Sequence, residues 1–333
     1  MKCIAVTQAN APLVLSERET PKPGPGQIRI RVEACGVCHS DAFVISGGFP
    51  GLSLPRIPGH EIAGRVDALG AGVHAWEKGD RVGVGWHGGH CWKCTACKRG
   101  DFLNCAEEKI TGISHDGGYA EYVVVPWESA ARIPEELGAE DAGPLMCAGV
   151  TTYNALRNAG ARPGDTVAVL GLGGLGHLAL QYAHRMGFRT IGLSRGADKA
   201  QLAKKLGAHH YIDTSAEDAA SALQALGGAD VILATAPSAK AIEATLRGLK
   251  PRGKLLVVGA TGENLAIPGF DLLSGKAVAG WPSGSAIDSE DTMKFSALFG
   301  VRAQIEKFPL ADAGKAFARV MENKVRFRAV LIP

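Results

Sequence analysis

The sequence predicts an α/β protein with a glycine-rich β domain in front and a parallel sheet covered by helices behind it. Three observations carry this. Up to about residue 125 the apolar residues come in short alternating runs broken by Gly and Pro, the pattern of antiparallel strands. From about residue 150 short apolar runs alternate with helical segments, as in a parallel sheet buried on both faces. At 333 residues the chain is long enough for two domains.

The elements follow in order. Ile4-Ala5-Val6, Leu13-Val14-Leu15 and Ile28–Val32 read as strands, separated by the turn Pro21-Lys22-Pro23-Gly24-Pro25-Gly26. Ile62–Val66 and Arg81–Val84 are further strands, the second preceded by Lys78-Gly79-Asp80, and Tyr119–Val125 is another. Thr151 to Ala159 reads as a helix. Thr166–Leu170 is a continuous apolar run of strand length, followed by Gly171-Leu172-Gly173-Gly174-Leu175-Gly176 and a helical pattern to Met186. The alternation then continues through Thr190–Leu193, Ala200–Leu206, Tyr211-Ile212, Ser221–Leu226, Val231–Ala234, Ala239–Leu249 and Leu255–Val258. From about residue 286 the rhythm is lost, and Val325–Ile332 closes with a strand-like stretch.

The net charge of +3 is mild and evenly spread, which argues against a nucleic-acid or membrane-surface partner. No run of 18 apolar residues suggests a membrane span. Met1-Lys2-Cys3-Ile4 runs straight into a strand pattern, so a cytoplasmic protein is expected. In that setting eight cysteines point to metal rather than disulfides.

Cys91-x2-Cys94-x2-Cys97-x7-Cys105 is the most specific signal. Four thiolates at such spacing close a tetrahedral structural zinc site. A bacterial ferredoxin-type cluster is the rival, but its fourth Cys follows after three residues and precedes Pro; here the gap is seven and Ala106 follows. A second constellation is spread wider: Cys38 in Gly36-Val37-Cys38-His39-Ser40-Asp41, then Gly59-His60-Glu61, then Cys147. Singly, His60 reads as a core histidine and Cys147 as a small buried hydrophobe. Cys35-x2-Cys38 also has redox spacing, without a thioredoxin-like context. Together, Cys38, His60 and Cys147 read as three ligands of a catalytic zinc with an open fourth position, Asp41 orienting His60 and Glu61 able to approach the metal.

Gly171-x-Gly173-x-x-Gly176 follows a strand and opens a helix, the context a dinucleotide fingerprint requires. The loop, with Gly174 and Leu175, then takes the pyrophosphate at the helix N-terminus. The next strand ends Gly192-Leu193-Ser194-Arg195, without the acidic residue that accepts from an NAD ribose. Ser194 and Arg195, helped by Lys199, suit a 2′-phosphate, so NADP(H) is preferred and NAD(H) stays open. The alternative is that Arg195 stacks on adenine.

These residues together resemble the zinc-dependent medium-chain alcohol dehydrogenases, with a texture like their bacterial members and NADPH-dependent aldehyde reductases. The resemblance also covers Gly117–Tyr122 and Cys147-Ala148-Gly149-Val150-Thr151. It implies a GroES-like β-rich catalytic domain (1–148 and 286–333, structural zinc lobe 88–107) and a Rossmann domain (149–285), with the active site in the cleft between them. It implies two zinc ions per chain, Glu61 as an alternating neighbour of the catalytic one, and His39 and Arg328 at the cofactor pyrophosphate. Ser40 would pass the substrate proton, Trp86 line the substrate pocket, and Thr151 pack on the nicotinamide. Where many members carry a histidine that ends the proton relay, this chain has Phe43, which cannot carry a proton. A reductase role on primary alcohols and aldehydes therefore fits best. The alternatives are an NAD-dependent polyol or secondary alcohol dehydrogenase, and a zinc- and nucleotide-binding redox sensor without turnover. A small-molecule substrate and a homo-oligomer, tetramer or dimer, are expected.

Overall fold

The computed structural model describes residues 1–259 and 262–333, which form two compact units: Met1–Val150 with Gly284–Pro333, and Thr151–Ser283.

The first unit is built on β3 (Gln27–Val37), an eleven-residue strand that alternates buried and exposed positions along its first half and is wholly buried at its end. With strands numbered in chain order, β1 (Lys2–Ile4) and β2 (Leu15–Glu17) pair with each other. β4 is Ile62–Leu69, β5 Arg81–Val84, β6 His87–Gly89, β7 Lys109–Ile110, β8 Tyr122–Pro126 and β9 Ala130–Arg132. The C-terminal segment supplies β16 (Ile305–Pro309) and β17 (Arg328–Ile332). The main sheet runs β16-β17-β3-β4-β5-β9, with β8 also on β3. Register places Ala329 opposite Val37 and Leu331 opposite Cys35, so the chain's last strand is stitched beside the Cys38 turn. The core joins both chain segments, with Ile28, Ile30, Ile62 and Tyr119 against Ala313, Ala329 and Leu331.

The second unit is a six-stranded, all-parallel sheet. Its strands are β10 (Thr166–Leu170), β11 (Arg189–Ser194), β12 (His210–Asp213), β13 (Ala229–Ala234), β14 (Leu249–Val257) and β15 (Ala277–Gly280). Their order, β12-β11-β10-β13-β14-β15, is the doubly wound 3-2-1-4-5-6 arrangement. All five residues of β10 are buried, because helices cover both faces. This is the α/β architecture expected.

Several local expectations are corrected. The second strand falls on Leu15–Glu17 rather than Leu13–Leu15; Val14 is exposed, since an unbroken apolar triplet has no single face to bury. The run at Tyr119 becomes a strand only at Tyr122, because Tyr119 is turned fully into the core. The helix expected over Ala239–Leu249 ends at Glu243, and a short 3-10 turn follows at Leu246–Gly248. A Cβ at Gly248 would lie 2.5 Å from the Leu223 side chain, so the chain turns there to pack closely. A helix at Ala139–Pro144, running into a π-helical turn at Leu145–Gly149, carries no signal used above. Among the described residues, no helix is long and apolar enough to cross a membrane.

Candidate functional site

In the first unit, β3 ends at Val37 and the chain turns at Cys38. The Cys38 N–H donates to Asp41 Oδ2 at 2.9 Å, which fixes the thiol's direction. Tyr119 donates its hydroxyl to the same oxygen at 2.8 Å. The other carboxylate oxygen of Asp41 lies 3.1 Å from His60 Nδ1, with both side chains buried. A proton on Nδ1 facing Asp41 leaves the Nε2 lone pair free, the arrangement a metal-binding imidazole needs. Nε2 is buried without a hydrogen-bond partner. Cys147 arrives on the π-helical turn, an irregularity that often marks functional sites. Gly83 and Gly85 accommodate that turn, since Cβ atoms there would lie 2.6 Å from Met146 Sδ and 2.5 Å from Met146 O.

Ligand atoms of Cys38, His60, Glu61 and Cys147 all fall within 4.8 Å of one another. The two sulfurs are 3.9 Å apart. Two thiolates on a tetrahedral zinc at about 2.3 Å each would be about 3.8 Å apart. The donors hold their protons unequally, Cys38 being the one shifted toward its metal-binding form. The hydrogen bond from Cys147 holds the Cys38 thiol well below its ordinary range, and that same bond raises Cys147. Burial works against a charged His60, yet Asp41 and Cys38 together outweigh it and raise the imidazole. Burial pushes the Glu61 carboxyl up to about 7, against the pull of Arg328. Glu61 Oε1 accepts from Arg328 in a short contact, while Oε2 is buried and unpartnered. A Cβ at Gly36 would lie 1.9 Å from that Oε2, so glycine there makes the space for Glu61. Crowded thiol sulfurs, a free imidazole nitrogen and a free carboxylate oxygen fit a divalent cation.

Around it, Trp86 stands edge-on to the His60 ring at 5.0 Å. Phe49 continues that wall, 6.2 Å from Trp86 and 5.8 Å from Phe43. His39 is exposed and Ser40 partly exposed, on the turn between Cys38 and Asp41. Arg328 is buried against Glu61 rather than standing free beside His39.

Cys91, Cys94, Cys97 and Cys105 form a second cluster, again within 4.8 Å. Backbone N–H groups point at the sulfurs: Cys94 to Cys91 Sγ and Cys97 to Cys94 Sγ, both at 3.4 Å, and Glu107 to Cys105 Sγ at 3.3 Å. Hydrogen bonds from Cys97 and Ala106 draw the Cys94 thiol down to about 6. Donors aimed at sulfur favour thiolate, as a four-sulfur zinc site requires.

In the second unit the glycine loop leaves β10 at its C-terminal end. Gly171 has φ +97°, and a Cβ at Gly176 would lie 1.8 Å from Gly171 O, so packing demands both. Gly173 is different: its φ is not positive and a Cβ there would meet nothing within 4 Å. Neither backbone nor packing requires glycine there, and its absence of a side chain leaves the backbone open to close approach by a pyrophosphate. Gly174 and Leu175 complete the turn before helix Gly176–Arg185. At the end of β11, Lys199 Nζ bonds Ser194 Oγ at 3.2 Å and Arg195 O at 3.0 Å. Tyr211 braces the same turn through the carbonyls of Ser194 and Gly196. Thr151 is buried on helix Val150–Arg157.

The sequence reading missed Tyr119, Phe49 and Tyr211. Tyr119 sits in the quoted Gly117–Tyr122 stretch, but nothing local says its hydroxyl meets a carboxylate 78 positions away. Phe49, in Gly47-Gly48-Phe49-Pro50, is an aromatic on a loop, which composition alone could have flagged.

A two-unit chain with a candidate open metal site, a four-sulfur lobe and a dinucleotide loop defines the class of zinc- and nicotinamide-dependent dehydrogenases. The comparisons agree. Residues 24–135 match the alcohol dehydrogenase GroES-like domain and residues 174–298 the zinc-binding dehydrogenase domain. An alcohol dehydrogenase, patD, from Penicillium expansum is 48% identical over 328 residues, 97% of this chain and 95% of the relative. Among solved structures, cinnamyl alcohol dehydrogenase from Sorghum bicolor superposes with a TM-score of 0.90 at 32% identity, over 99% of this chain and 97% of that one. The CAD of Helicobacter pylori complexed with NADP(H) superposes at 0.88 with 28% identity, over 99% and 97%. The chain belongs to the zinc-dependent medium-chain alcohol dehydrogenase family.

Proposed function

We propose that this protein reduces aldehydes to primary alcohols, and runs the reverse oxidation, with NADP(H) as hydride carrier. The convergence of Cys38, His60 and Cys147 on one point, with His60 Nε2 buried and unpaired, carries the reading. Bound there, zinc supplies Lewis-acid polarisation of a substrate oxygen and the nicotinamide supplies the hydride chemistry.

The chain's own residues do the rest. Asp41 and Tyr119 hold His60 in one tautomer. Ser40 delivers the proton to the product alcohol or takes it from the substrate. Glu61, tethered by Arg328, is poised beside the ligands. His39 and the loop Gly171–Gly176 serve the cofactor pyrophosphate, Thr151 the nicotinamide, and Ser194, Arg195 and Lys199 the 2′-phosphate, while Arg328 is engaged with Glu61. Cys91, Cys94, Cys97 and Cys105 would hold a second zinc, giving two per chain. Phe43, Phe49 and Trp86 offer flat apolar faces to the substrate, which favours aryl or long-chain aldehydes over polyols. With no imidazole at position 43 to carry a proton to or from solvent, Ser40 exchanges its proton with water by another route in both directions. A homo-oligomer is expected.

The test is NADPH oxidation against aldehydes from hexanal to benzaldehyde, with zinc content measured on the same sample. Fast turnover of the aryl aldehyde with NADPH supports the reading. Faster oxidation of sorbitol with NAD would replace it with a polyol dehydrogenase, and no turnover of any substrate by zinc-replete protein would leave the non-enzymatic reading.

A further inference from the structure

Beside the four-cysteine lobe, within the first unit, lies a cavity of about 340 Å³, the size class of a small-molecule pocket. Trp76, Trp92, Phe102, Trp127 and His90 wall it, and Glu128 borders it. None of these residues belongs to the metal clusters or to the dinucleotide loop.

Three features make it more than a surface dent. The indoles of Trp92 and Trp127 are tilted by only 20° with centroids 6.4 Å apart. That is within the range of an offset-stacked aromatic pair, so the two indoles present one continuous aromatic wall to the cavity. Trp92 holds its position at a cost. Its backbone is left-handed, φ +61°, which a bulky side chain rarely adopts, and the indole is 53% exposed. The His90 ring lies 4.0 Å from Phe102 and 4.2 Å from Trp92, bracing that exposed ring from behind.

The charges around the cavity are unequal. Arg132 is committed to Asp80 at 3.3 Å and to Ala75 O at 3.0 Å, and its guanidinium lies 4.5 Å from the centre of the Trp76 ring. Glu290 is taken by Lys294 and by the Arg132 N–H. Glu128 has no ion pair among the described residues; burial raises its carboxyl, against the weaker pull of its own backbone and of the Lys109 charge. Aromatic faces with one uncommitted carboxyl attract a cation, and Arg132 on Trp76 shows that these faces accept one.

We propose that this cavity binds a planar aromatic cation, its ring packed on the wall of Trp92 and Trp127 and its charge set against Glu128.

Isothermal titration of the zinc-replete protein with N-methylquinolinium, with NADPH at saturation, tests this. Quinoline, neutral at pH 8, is the isosteric control. The expectation is one site per chain, with the cation bound about tenfold more tightly than quinoline. Trp92→Ala should weaken the cation by about tenfold or more, and Glu128→Gln, which preserves shape, should erase the preference for cation over quinoline. No saturable binding up to about 10 mM overturns the proposal. So does binding that neither variant changes, or a Glu128→Gln protein that keeps the full preference. If Trp92→Ala dissociates the oligomer while N-methylquinolinium fails to compete with assembly, the face is a subunit contact and the proposal falls.

Discussion

At the scale of single residues, the candidate metal site depends on a few exclusions and one unpaired nitrogen. Gly36 leaves the room that Glu61 occupies, so Gly36→Ala should displace Glu61, and a lower zinc content and a fall in kcat would show it. Cys38→Ser or His60→Ala removes a ligand from the cluster while touching nothing in the glycine loop. Turnover should be abolished and NADPH binding, followed by nucleotide fluorescence, should change by less than about threefold; retained turnover would refute the ligand assignment. Arg195→Asp places a carboxylate where a 2′-phosphate is expected. It should weaken NADPH by about tenfold or more and spare NADH. Equal losses for both would show that Arg195 does not read the phosphate. Legibility was good for the donors of the four-cysteine lobe, because Cys is rare and their spacing is diagnostic. It was poor for Tyr119 and Phe49, which are ordinary core and loop aromatics until the fold brings them to Asp41 and Trp86.

At the scale of elements, β10 to β13 were read to within two residues, β14 only from Leu255, and β15 not at all. Thr166–Leu170 is a strand from end to end, because all five residues are buried and Gly164-Asp165 and Gly171 bound the run. Helix ends were harder. The segment from Ala239 stops at Glu243, where close packing of Gly248 on Leu223 overrides an apolar pattern that would continue. The π-helical turn bearing Cys147 left no trace in periodicity, since one extra residue per turn only shifts which side chains face inward. Helix Ala286–Phe299 was not expected, since the βα rhythm stops at about residue 286, yet its start is marked: Ser285 and Asp288 form a capping box, with Ser285 N–H donating to Asp288 Oδ2 at 2.8 Å. Ser285→Ala should cost about 1 kcal/mol, read from chemical denaturation at constant zinc.

At the scale of the whole molecule, stability should depend on metal and on pH. If the four-cysteine lobe holds zinc, stripping it with a chelator should lower Tm, and adding zinc should restore it. Burial raises the Glu108 carboxyl to about 7. A carboxyl with a raised folded pKa contributes stability below its unfolded pKa and loses it as pH rises through the folded value. Glu108→Gln should therefore raise Tm at pH 8, by about 2 °C or less because the group is only partly buried, and the gain should shrink as pH falls below 7. A gain that stayed constant across this range would show that Glu108 does not titrate as described.

By itself the sequence determined the α/β class, the four-cysteine cluster and the glycine loop, because each is written in residue type and short spacing; Cys38, His60 and Cys147, spread over more than a hundred positions, were candidates only in combination. Only the tertiary structure decided that Arg328 meets Glu61 across 267 positions, that Asp41 is shared by Cys38, His60 and Tyr119, and that Phe49 extends the wall of Trp86. Those contacts come from strand register and core packing, which are set by the whole chain folding together and leave no local pattern to read.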